Sequence, residues 1–85
     1  MNVRELAEIR RAIASAAAGE PELVRIGPIE ATRGWGDILF VRVQAQLRGP
    51  PSAEMQEEVE RRFQAALRET FDGDRCAVSV RWVSD

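Results

Sequence analysis

One stretch, Leu39 to Leu47, sets the terms for this chain. Leu39, Val41, Val43, Ala45 and Leu47 alternate with Phe40, Arg42, Gln44 and Gln46. A period of two is that of a strand with one face packed and one face open. The run Gly34-Trp35-Gly36-Asp37 just before it has the composition of a tight turn. The whole chain is 85 residues, which is one domain. A domain of that size buries only about 60–65% of its unfolded surface. The strand must therefore be covered by a few well-chosen neighbours, and the flanking sequence supplies them.

Residues Asn2 to Ala18 predict a helix. Val3, Leu6, Ile9, Ile13 and Ala17 recur with the spacing of one apolar face. Asn2 is suited to cap its start, and Gly19 and Pro21 stop it. Glu22 to Arg33 predicts a first strand interrupted at Gly27-Pro28. Proline cannot donate to a ladder, which places this strand at a sheet edge with a bulge near Pro28. The turn then makes it a hairpin with the strand at Leu39–Leu47. Arg48-Gly49-Pro50-Pro51 breaks the chain and Ser52 is a natural N-cap. A second helix follows from Ala53 to Phe71, with Met55, Val59, Phe63, Ala66, Leu67 and Phe71 as its apolar stripe, and Asp72-Gly73-Asp74 ends it. The last strand puts Cys76, Val78, Val80 and Trp82 on one face and Ala77, Ser79, Arg81 and Val83 on the other.

The order is α-β-β-α-β. The second strand, second helix and third strand make a crossover long enough for a parallel connection. The expected fold is α+β: a two-layer, ferredoxin-like sandwich over residues 1–85, with a three-stranded mixed sheet, the second strand central, and both helices on one face.

Composition narrows the chemistry. The chain contains no histidine and one cysteine, Cys76. That removes the commonest general base and the commonest transition-metal ligand, and no Ser-His or Cys-His nucleophile can be built. One thiol allows no internal disulfide and fits a reducing, cytoplasmic setting. The formal net charge of −2 is not a footprint for nucleic acid, and neither a secretory signal nor an apolar run for direct membrane insertion is present. No catalytic motif appears, so a non-enzymatic role is expected.

Four features could carry function. Glu54, Glu57, Glu58 and Glu60 crowd the first half of the second helix; two could share a hard cation, or all could simply match the helix dipole. Trp35, between two glycines, is hard to bury and is either an interface anchor or folded over the sheet edge. Cys76 is expected to be a buried, inert thiol. Phe40, Arg42, Gln44 and Gln46, joined by Arg81 and Val83, mark an open sheet face that is wet or covered by a partner.

Several segments together resemble the C-terminal cytoplasmic domain of cation diffusion facilitator (CDF) transporters. They are Pro21-Glu22-Leu23-Val24, Thr32-Arg33 with Gly36, Phe40-Val41-Arg42-Val43, Pro51-Ser52, Glu58-Val59-Glu60, Phe71-Asp72-Gly73-Asp74 and Val78-Ser79-Val80. The resemblance implies a metallochaperone-like fold and a V-shaped homodimer. It also implies zinc or a related divalent cation near the dimer interface, regulating cation efflux by an attached membrane domain. The family's ligands are typically histidines and an aspartate. On the matching positions this chain has Gly27 or Pro28, Glu57, Ser79 and Arg81. Only Glu57 could ligate there, and Arg81 would repel a cation. The resemblance therefore implies a metal site that is lost, or rebuilt weakly from Glu54, Glu57 and Asp85. Trp35, Phe40, Ser79 and Arg81 become candidates for a dimer or partner face. The initiating Met and the complete first helix favour a stand-alone relative of that domain, whose partners would be a second copy or a cation-efflux transporter.

Overall fold

The computed structural model describes residues 3–50, 52–71 and 75–83. The elements run α1 (Val3–Ala18), β1 (Leu23–Arg33), β2 (Leu39–Leu47), α2 (Ala53–Thr70) and β3 (Cys76–Val83). This is the α-β-β-α-β order expected. The sheet order is β1-β2-β3, with β2 in the centre. It is mixed: β2 pairs antiparallel with β1 and parallel with β3.

The alternation in β2 is realised residue by residue. Leu39, Val41, Val43, Ala45 and Leu47 are all buried, while Phe40 and Arg42 are exposed and Gln44 and Gln46 half-buried. The buried side faces both helices. Ile9 and Ile13 of α1 and Val59, Phe63 and Leu67 of α2 join Leu39, Val41 and Val43 in one cluster. Both helices therefore cover the same face, which makes two layers. Among the described residues, no polar or charged residue is buried.

β1 is an edge strand, and its ladder slips twice against β2, once between Leu23 and Arg25 and once between Ile26 and Ile29. The second slip spans Gly27-Pro28, the bulge expected from a residue with no backbone N–H. The β1–β2 connection is one turn of 3-10 helix, Trp35–Asp37. It is closed by the Gly34 N–H donating to the Ile38 carbonyl at 2.9 Å. Gly36 (φ +67) and Asp37 (φ +61) both lie in the left-handed region, which Gly and Asp tolerate best. Ser52 caps α2 as expected, its side chain accepting from the Met55 N–H at 3.2 Å. At the other end Phe71 N–H donates to the Leu67 carbonyl.

One apolar assignment is corrected. Val3 is expected on the buried face of α1, yet it is 85% exposed, because it is the first residue of the helix, more than a turn ahead of Ile9, where full burial starts. Cys76 lies on the core face as expected but is half-buried, not buried. The Asn2 cap, Pro51 and the Asp72-Gly73-Asp74 stop lie outside the described residues.

Candidate functional site

With both helices on one side, the other side of the sheet is uncovered among the described residues. The register fixes what stands on it. Thr32 is beside Phe40, Glu30 beside Arg42, and Arg25 beside Gln46 on the β1 side. On the β3 side Ala77 is beside Phe40, Ser79 beside Arg42, Arg81 beside Gln44, and Val83 beside Gln46. Ser79 and Arg81 are both exposed.

The hairpin end of this face is aromatic. Trp35 is 95% exposed at the tip and Phe40 is 46% exposed. The Phe40 ring lies over Gly34 so closely that a Cβ there would sit 2.5 Å from its Cε2. Gly34 is what allows Phe40 to fold down onto the turn. Trp35 does not fold over the sheet edge and remains out in solvent.

The centre of the face is basic. Arg25, Arg42 and Arg81 come from three different strands, and among the described residues Glu30 is the one carboxylate paired beside them in the register. Glu30 pairs with Arg42 at 3.8 Å, with both side chains more than two-thirds exposed. Two shallow hollows adjoin here. One, of about 270 Å³, is lined by Arg25, Gly27, Pro28, Gln44, Gln46 and Val83. The other, of about 150 Å³, is lined by Pro28, Glu30, Arg42, Gln44 and Arg81. They share Pro28 and Gln44 and so form one groove.

The candidate metal ligands are elsewhere. Glu54 and Glu57 are both exposed in the first turns of α2, away from the open face. Asp85 lies outside the described residues. Among the described residues no group of three or more His, Cys, Asp or Glu is placed to hold a metal ion. The open face itself does not fit a divalent cation, since its charge is guanidinium.

Phe40, Arg42, Gln44, Gln46, Arg81 and Val83 were legible as one face. Arg25 was not grouped with them. Strict alternation from Glu30 would put Arg25, five residues earlier, on the opposite side. The extra residue in the Ile26–Ile29 bulge brings it back. Pro28 was the available signal.

The fold and this face define a small α+β sandwich with an open, arginine-bearing sheet. No protein-family model matches the sequence, and no curated protein matches it. Solved structures do. The chain is similar to the C-terminal domain of the magnetosome protein MamB from Desulfamplus magnetovallimortis BW-1, with TM-score 0.72 and 19% identity over 92% of this chain and 94% of that one. It is similar to a candidate zinc transporter, CzrB, with TM-score 0.72 and 18% identity over 98% of each chain. A third is the metal-bound C-terminal domain of the CzcD transporter from Thermotoga maritima, with TM-score 0.64 and 16% identity over 95% of this chain and 93% of that one. These neighbours are C-terminal domains of CDF transporters. The resemblance read from the sequence therefore holds at the level of the fold. No helix among the described residues is long and apolar enough to cross a membrane.

Proposed function

We propose that this chain is a homodimerising cytoplasmic regulatory or assembly domain of the kind CDF transporters carry at their C-terminus. Its usual metal site is lost or altered, and it is not an enzyme. The observation that carries this reading is the end-to-end likeness to CzrB, 98% of each chain at TM-score 0.72. The altered site is supported by the lack of histidine and by the arginines on the open face. Its partners are a second copy and a cation-efflux transporter.

Sedimentation equilibrium, first with EDTA and then with zinc, tests this. The expected result is a dimer of the same mass in both. A monomer in both overturns the reading. A zinc-dependent change overturns the loss of the metal site and points to Glu54, Glu57 and Asp85 as its rebuilt ligands.

A second reading is a stand-alone subunit that takes a ligand on the open sheet face. The groove between Arg25, Arg42 and Arg81 favours it.

A further inference from the structure

We propose that the open sheet face is a binding site for a small polyanion carrying carboxylate or phosphate groups, seated between Arg25, Arg42 and Arg81. This deepens the second reading by naming the ligand, and it rests on that face being accessible.

The charge distribution comes first. The chain as a whole is acidic, at −2, yet the strand residues of this face carry three arginines and one glutamate. This surface is locally positive although the chain as a whole is not. Every basic residue in the sequence is arginine, so each cation offers a planar fork that matches carboxylate or phosphate oxygens two at a time.

These guanidiniums are also available. Arg25 and Arg81 are exposed, and neither has an ion pair or hydrogen bond among the described residues. The Arg42–Glu30 pair, at 3.8 Å and largely exposed, is of the kind that contributes little, so Arg42 can turn to a ligand.

Geometry gathers them around Gln44. Arg81 is its register partner on β3, Arg42 precedes it by two residues on the same face of β2, and Arg25 stands beside Gln46. Gln44 lines both hollows and its amide adds N–H donors. At Gly27 the β1 backbone comes so near that a Cβ would lie 3.1 Å from Gln44 Cβ, which backs the Gln44 stem against the bulge. Two adjoining hollows with arginines at both ends suit a ligand with two or more anionic groups. A single anion would leave one end empty.

The test is isothermal titration of the full chain at low ionic strength with citrate and, separately, with pyrophosphate. One site per protomer is expected for at least one of them. R81Q and R42Q, both at exposed positions, should each weaken it about tenfold or more, since each removes a charge-assisted contact. R10Q, on the exposed surface of α1, should leave it within about twofold. Binding of citrate alone assigns carboxylate, and binding of pyrophosphate alone assigns phosphate. Absence of binding by both overturns the proposal, as does equal weakening by R10Q and R81Q. Sedimentation of the same samples separates the two failures. A dimer that binds neither anion and that R81Q or R42Q dissociates has covered the face, which removes the second reading too; a dimer indifferent to those variants removes only the polyanion. A monomer that binds neither removes only the polyanion.

Discussion

Gln64 and Val78 are joined by a hydrogen bond in which the Val78 backbone N–H donates to Gln64 Oε1 at 3.1 Å. The other end of the same carboxamide donates from Nε2 to the Cys76 carbonyl. β3 is an edge strand, and these two backbone groups lie on its outer side. One glutamine from α2 thus occupies the place that the peptide group of a fourth strand would take. Edge strands are a standing liability for unwanted pairing, and here the first turn of the edge is closed from within.

Removing that carboxamide should release the edge. Gln64→Ala leaves a half-buried donor and acceptor unmet, at a cost of about 1–3 kcal/mol. Hydrogen exchange is the informative measurement. The Val78 amide should lose more protection than the amides of β2, which stay bonded on both sides. Equal loss everywhere would mean that Gln64 acts only through global stability.

The core should respond by volume. Leu67 and Phe63 have no exposed surface and fill the space between α2 and β2. Leu67→Ala should cost about 2–5 kcal/mol, a large share of the stability of so small a domain. Val3→Ala, at a position 85% exposed, should change it by less than about 0.5 kcal/mol. Urea unfolding of the two variants checks the contrast.

The hairpin tip offers a sharper test. A Cβ at Gly34 would collide with the far edge of the Phe40 ring. Gly34→Ala should therefore displace the ring and destabilise the domain. In the background of Phe40→Ala the same change should cost much less. A double-mutant cycle reads this directly, and additive effects would show that the two residues do not act through that contact.

Arg62 should matter more than a half-exposed surface residue usually does. Its Nε lies 2.8 Å from Glu20 Oε1, and the Glu20 side chain is only 9% exposed. Arg62 also reaches Glu58 at 3.2 Å. Among the described residues that Glu20 oxygen is buried without a hydrogen bond, so the ion pair is what offsets its charge. Arg62→Ala should destabilise by about 1–3 kcal/mol. Adding Glu20→Gln should recover part of the loss, because no charge is then left stranded. Thermal melts of the single and double variants decide it.

Much of the fold was legible because the strongest signals are periodic. The alternation from Leu39 to Leu47 gave both the strand and its buried side, and Pro28 gave the edge and the bulge. Contacts that join elements were not legible. Gln64 shares a helical row with Glu60, Arg61 and Arg68 and reads as surface; nothing local says that it faces Cys76 and Val78. Arg62 likewise reads as one more charge on α2, since Glu20 belongs to another segment. For the site, the face bearing Phe40, Arg42 and Arg81 followed from alternation, whereas Arg25 required a count through the bulge. Val3 was misplaced because helical periodicity says which side a residue faces and not how far the neighbouring layer extends.

The mixed sheet also has a consequence in time. β1 and β2 are joined by a one-turn tip, so their pairing is a local event, of the kind that takes about 1–10 μs. β3 reaches β2 only after α2 has been laid down between them, and closing so long a span is slower. The hairpin can therefore assemble while β2 still has an unsatisfied side. During that interval the side of β2 reserved for β3 is an unpaired edge, open to pairing with another chain. How fast α2 folds and brings β3 home sets how long it stays uncovered.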